Sequence, residues 1–345
     1  MTENAFFLLA AGLCLIPLIF LLPFNWKAPA GLLISLVFTV GSSMLAYEAF
    51  MHGTQRYIVP DVEPIGSFEL RFDKLSVFFM SIVNLSVLAA NVYALGYTRN
   101  VVHRYVSGLS SVFMCLLHVS MLFLCMVEQL MVFLIAWEIM SLSSFMLILW
   151  DHKREEVRDA ALDYLVQMHI GVALLTTAVL LLQRDAGTAT FDSLHIYFGQ
   201  HNNLLLFSLF FLGFGFKAGF LGLHTWMPGT YSNAPAHAGA VMASAMKKLA
   251  IYGIIRVMLH VQDHQVLIGL SILILSISTT LYGIVNGIMQ RNLARMLAYS
   301  SMENVGIIGI GLGMTMVGIG THNNLLIVLG FTGCLFHILN HTLFK

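Results

Sequence analysis

The sequence predicts an all-α fold, a polytopic bundle of transmembrane helices. Three observations carry that reading. Of the 345 residues 58% are hydrophobic and only 10% charged, against about 25% charged in an ordinary soluble domain. The apolar residues fall in runs near the roughly 20-residue length that a helix needs to cross hydrocarbon. The stretches between them are short and polar, with no linker, low-complexity tract or short repeat.

By that length the chain divides into ten complete spans and an eleventh cut short. They cover about 5–23, 30–50, 73–98, 108–127, 129–149, 159–182, 204–225, 236–259, 265–288, 294–315, and 323 to the end. The first run carries Glu3 in place of a basic start and no small-residue cleavage site follows, so it reads as a retained span and not a signal peptide. Residues 1–127 hold spans one to four; residues 128–345 hold spans five to eleven and most of the polar groups discussed below. Cys14, Cys115, Cys125 and Cys334 all sit inside apolar runs without CxxC spacing, which indicates neither an iron–sulfur cluster nor a zinc site. A net charge of +0 with no basic stripe gives no case for nucleic acid.

Loops after odd-numbered spans carry eight basic residues, Lys27, Arg99, Arg104, Lys153, Arg154, Arg158, Arg291 and Arg295; those after even-numbered spans carry five, Arg56, Arg71, Lys74, Arg184 and Arg256. The positive-inside rule then puts the amino terminus outside and the 150–158 loop in the cytoplasm. Four basic residues remain within spans: Lys217, Lys247, Lys248 and Lys345. A charge near a helix centre in lipid costs roughly 2.5–3.5 kcal/mol on insertion scales, so these ask for acids, water or a moving ion.

Glu138 is near the middle of the fifth span, where a carboxylate needs a cationic partner or a proton. Lys217 is the first candidate for that partner; the alternative is a buried ion pair that only fixes helix register. Glu128, at the start of the same span, is within reach of the interface. Lys217 lies in GFGFKAGFLGLH, whose glycines at 213, 215, 219 and 222 weaken the helix. Broken helices at membrane depth line protein or water cavities where ions bind, and a lysine there could handle protons. His224 follows seven residues later, on the same face if the helix continues. Lys247 and Lys248 are about 100° apart around their helix, so one faces the interior and the other is left to find an acid or a carbonyl on a neighbouring span. Glu303 lies roughly 12 Å into the tenth span at 1.5 Å per residue. His337, His341 and Lys345 recur at i, i+4 and i+8 on one face, which reads as a wet path. His118 and His169, without patterned neighbours, read as core histidines, and Asp163 is open either way. Alternating acids and bases of this kind suit a proton relay better than a solute site.

At these residues the chain resembles the antiporter-like membrane subunits of respiratory complex I, membrane-bound hydrogenases and Mrp sodium/proton antiporters. The matches run in order across 130–345: WEIMSLSSF around Glu138, GFKAGFLGLHTWMP around Lys217 and His224, APAHAGAVMASAMKKLAIYGIIR with Lys248 at the family's lysine, QRNLARMLAYSSMENVGII, and HILNHTLFK. The forms APAH, SSMENVGI and LNHTLFK are most similar to the hydrogenase 4 component B and formate hydrogenlyase subunit 3 branch. The resemblance implies a fold of the complex I antiporter-like type, with broken seventh and twelfth helices and a hydrophilic axis through mid-membrane. In it Glu138 and Lys217 would be the coupled pair, Lys248 the central lysine, and His337, His341 and Lys345 the connection outward; His224 and Glu303 join the relay on their positions in the sequence alone. Departures are Gly222 where the family often has a proline ahead of the histidine, and Gly229 where an acid commonly follows WLP. The chain stops at Lys345 within its last apolar run, which is expected either of a fragment or split product completed by another chain or of a chain that cannot form a full channel on its own.

The function this implies is a membrane subunit of a redox-driven complex in a cell (inner) membrane, moving protons or sodium through residues 128–345. No cofactor is expected in this chain; iron–sulfur clusters and nickel–iron would sit in partner subunits, with other membrane subunits and a peripheral redox arm as partners. The rival readings are an Mrp-type cation/proton antiporter subunit and a structural anchor that no longer pumps.

Overall fold

The computed structural model describes residues 2–63, 66–98 and 104–345; Arg99, counted above for orientation, lies outside them. In hydrocarbon every backbone polar group must be satisfied within its own segment, so apolar runs become helices. Among the described residues ten helices are long and apolar enough to cross a membrane. They are α1 Thr2–Leu15 with its 3₁₀ extension to Leu21, α2 Phe24–His52, α3 Lys74–Tyr97, α4 Arg104–Met126, α5 Leu130–Ile148, α6 Glu155–Ala186, the segment Ala236–Met258, α12 Gln265–Ile288, α13 Leu293–Gly320 and α14 Asn324–Phe344. These match the expected spans closely. The short apolar helix is the seventh, α8 Asn203–Ala218 with 16 residues, whereas the last run forms a 21-residue helix.

Two elements had no counterpart in the span reading. An antiparallel hairpin, β1 Gln55–Val62 and β2 Gly66–Phe72, joins α2 to α3. A short helix, α7 Ser193–Gln200, precedes α8. Beyond α8 come α9 Trp226–Asn233, then α10 Ala236–Val241, a π-helical turn Met242–Met246, and α11 Lys247–Met258. The chain divides into two compact units, residues 1–161 with 234–249, and residues 162–233 with 250–345.

In the first unit α2, α3 and α4 pack together around a buried polar ladder. Asn84 Nδ2 donates to Ser42 Oγ at 2.9 Å and Asn84 Oδ1 lies 3.0 Å from His118 Nε2. His118 is therefore a core histidine held by an amide, as its lack of patterned neighbours suggested. Glu128, just ahead of α5, is 3% exposed and pairs with Arg71 at 3.2 Å; its backbone N–H donates to Glu69 O, which draws the residue under the hairpin. Arg71 also donates to Asp73 Oδ2 at 3.1 Å, and Asp73 caps α3 by accepting from Ser76 N.

In the second unit α12, α13 and α14 pack side by side, with α9 against α13. Where α11 meets α8, Gly253 permits a close approach: a Cβ there would lie 2.5 Å from Phe214 Cζ, and Phe214 is fully buried. Gly253→Ala is expected to cost about 1–3 kcal/mol by overpacking, read as a lower thermal unfolding midpoint of the detergent-purified protein. Gly96→Ala, with open space around its Cβ, is the control.

Candidate functional site

Lys217 is the centre of the second unit's polar chemistry. It stands in the last turn of α8 and is 1% exposed, and its ammonium donates to Tyr164 Oη on α6 at 2.8 Å. The helix stops two residues later because Gly219 takes φ +85° and ψ 45°, a left-handed cap. Gly222 repeats φ +85°, so the chain cannot resume a helix before Trp226. The loop is tied down at three points. Leu221 N donates to Thr279 Oγ1 on α12 at 3.0 Å, Gln167 Nε2 on α6 to Thr225 Oγ1 at 2.6 Å, and Trp226 Nε1 to Phe216 O at 2.8 Å. The Trp226 ring also meets Tyr164 edge-on, with centroids 5.2 Å apart.

His224 therefore does not share a helix face with Lys217. That expectation required α8 to continue; instead His224 lies in the loop, buried, with its ring 5.1 Å from Tyr282 on α12. Asp163 is exposed and accepts from Gln167 Nε2 at 2.8 Å. His169 is exposed as well, not core, with Nδ1 2.9 Å from Leu165 O.

The same unit brings four of the expected residues together at the α13–α14 contact. His337 Nε2 lies 2.9 Å from Asn304 Oδ1, the residue after the half-buried Glu303. Its ring stacks with the fully buried His341, centroids 6.3 Å apart, and Lys345 Nζ donates to Leu297 O at 3.1 Å while feeling the charge of Glu303. The i, i+4, i+8 stripe thus faces α13.

In the first unit Glu138 is half-buried at mid-α5, beside an exposed stripe of Met131, Ile135, Ile139, Leu142 and Met146. Glu138 and Lys217 belong to different units. Lys247 and Lys248 are both almost fully buried at the start of α11. Lys248 Nζ donates to Ala243 O, a carbonyl of the preceding π turn. That acceptor is not the neighbouring-span carbonyl expected; it lies five residues back in the lysine's own segment, where the wide turn presents it. Ser144 on α5 points its hydroxyl at Met246 Sδ at 3.1 Å in that turn.

Tyr164, Gln167 and Arg256 were missed. Tyr164 and Gln167 repeat at i, i+3 beside Asp163 in DYLVQ, a polar signal within an apolar run. Arg256, assigned to a span edge above, is 4% exposed, with Nε donating to Tyr252 Oη at 2.9 Å and the guanidinium 4.9 Å above the same ring. Its i+4 spacing from Tyr252 was the available clue.

Residues 127–345 match the family described as "NADH:quinone oxidoreductase/Mrp antiporter, TM". Hydrogenase-4 component B of Escherichia coli (strain K12) is 34% identical over 282 residues, which is 80% of this chain and 41% of that protein. Formate hydrogenlyase subunit 3 of the same organism is 29% identical over 331 residues, 95% of this chain and 52% of that protein. The chain therefore spans about half the length of these curated relatives. A chain in the structure of the membrane-bound sulfane sulfur reductase (MBS), an archaeal respiratory membrane complex, superposes with a TM-score of 0.82 at 24% identity, over 98% of this chain and 55% of that one. That likeness is one of fold.

Proposed function

The chain belongs to the NADH:quinone oxidoreductase/Mrp antiporter transmembrane family, and on that premise we propose that it is a membrane subunit of a redox-driven ion-translocating complex. In this reading protons pass along Glu138, Lys217, His224, Lys248, Glu303, His337, His341 and Lys345, with Glu138 and Lys217 as the coupled pair. One observation carries it: Lys217, Lys247 and Lys248 are nearly inaccessible inside a multi-pass membrane protein, and ionisable groups buried in such segments are costly, rare and characteristic of ion pathways. Tyr164 supports it by giving Lys217 a hydroxyl that both accepts and donates a proton.

Redox centres belong in this reading to partner subunits of a peripheral arm, and the similarity to hydrogenase-type relatives favours a redox complex over an Mrp antiporter. Co-purification of iron–sulfur subunits with the tagged chain tests that. In this reading the complex sits in the cell (inner) membrane, and the excess of basic residues in the loops after odd-numbered spans favours the amino terminus outside and the 150–158 loop in the cytoplasm.

The complex purified from membranes and reconstituted in vesicles should take up protons during turnover. Glu138→Gln, which removes the charge at nearly constant shape, is expected to lower that uptake about tenfold, followed with a pH-sensitive dye. Unchanged uptake at normal redox turnover would leave the structural anchor as the reading.

A further inference from the structure

His237 on α10 has no part in the relay above, yet it is among the most unusual groups of the first unit. It is 3% exposed. Its Nε2 lies 2.9 Å from Ser110 Oγ on α4, and the ring of Tyr97 on α3 is tilted beside it at 5.4 Å. Its other nitrogen, Nδ1, is buried and meets no hydrogen-bond partner among the described residues. Buried polar atoms are bonded in the large majority of cases, and an exception points to water or to a catalytic role.

Ser110 has a second side. It lines a partly open groove of about 270 Å³ between α4 and the end of α5, walled by Leu109, Phe113 and Met146, with Trp150 and the exposed His152 also on its lining. His152 belongs to the 150–158 loop, whose Arg158 donates to the carbonyls of His152 and Lys153. A single hydroxyl thus touches both a groove that opens outward and a buried imidazole. Beyond His237 the chain runs through Ser244, 5% exposed, to Lys248. The eleven residues from His237 to Lys248 cover roughly 16 Å at 1.5 Å each.

We propose that the groove, Ser110 and His237 form the inlet by which protons from the 150–158 side reach Lys248. The inference rests on the proton-translocating reading. A proton arriving at Ser110 Oγ displaces the hydroxyl's own proton onto His237 Nε2, and the imidazole passes its Nδ1 proton to a water on the side of Lys248, the partner that this buried nitrogen otherwise lacks among the described residues. Serine and histidine both end neutral, with the histidine tautomer exchanged, and ring and hydroxyl rotation restores the start. The mostly apolar walls make the groove a gate that conducts only when wetted, which limits leakage.

Two measurements test this. In the assembled complex, with Cys14, Cys115, Cys125 and Cys334 of the tagged chain changed to alanine, His237→Cys is expected to react with aminoethyl methanethiosulfonate about tenfold faster than Met242→Cys, which is fully buried one turn deeper. Phe113→Trp, filling the groove, should remove the difference. Equal rates for the two thiols, as when an acyl chain occupies the groove, overturn the inlet without bearing on translocation. In reconstituted vesicles His237→Gln, which still bonds Ser110 but cannot exchange tautomers, should slow proton uptake about tenfold. Full uptake with His237→Gln, where Lys248→Ala stops it, overturns the inlet and leaves the proposed function standing. If neither variant alters uptake, the inlet falls together with the function on which it rests.

Discussion

Lys217→Ala is expected to lower proton uptake by the reconstituted complex by about a hundredfold, equivalent to about 2.7 kcal/mol of lost transfer free energy. The change deletes the ammonium and with it the donor that the Tyr164 hydroxyl accepts from at 2.8 Å. A hydrogen bond to a charged group contributes about 1.5–3 kcal/mol, so the fold should weaken by up to that amount. Tyr164→Phe separates the two effects. It keeps the ring that stands against Trp226 and removes only the acceptor, so uptake should fall by less, about tenfold. Uptake unaltered in Lys217→Ala would remove Lys217 from the path.

The second large effect lies at the hairpin. Arg71→Ala takes the cation from Glu128 and Asp73 together, and Glu128 is 3% exposed. Removing one partner of a buried ion pair costs about 3–5 kcal/mol because a charge is left in a poor solvent. Thermal unfolding in detergent should show the loss. The double variant Arg71→Met with Glu128→Gln should recover much of it, since it removes the stranded charge and replaces the pair by groups of similar volume. Arg71→Lys should fall between, because an ammonium lacks the guanidinium's fork. A double variant no more stable than Arg71→Ala would refute the ion-pair account.

Span positions were legible because hydrocarbon imposes length and composition on each helix separately, and no tertiary contact is needed to read them. What depended on contact was hidden. The hairpin's residues, QRYIVPDV and GSFELRF, alternate too briefly to stand out between long apolar runs. Around Lys217 the glycines marked a weak helix, but the reading that carried His224 along the same face assumed regular geometry; two left-handed residues decide otherwise. The π turn before Lys247 left no trace in composition, since Met242–Met246 is an ordinary helix-forming stretch and the extra residue per turn comes from packing. Tyr164 was passed over because one tyrosine in an apolar run fits a core as readily as a relay. The His337, His341, Lys345 stripe was visible because its spacing alone puts all three on the side that α13 covers.

The early stop of α8 has an electrical consequence. Sixteen residues at 1.5 Å make about 24 Å of rod, short of a hydrocarbon slab about 30 Å thick, and the missing length is filled by a loop rich in peptide groups. A polarisable wedge of that kind shortens the insulating layer. The resting voltage, worth about 2.3 kcal/mol per elementary charge per 100 mV, would then drop over less distance, so on the proposed function a charge moving near Lys217 would do more of its work against the field in a single step.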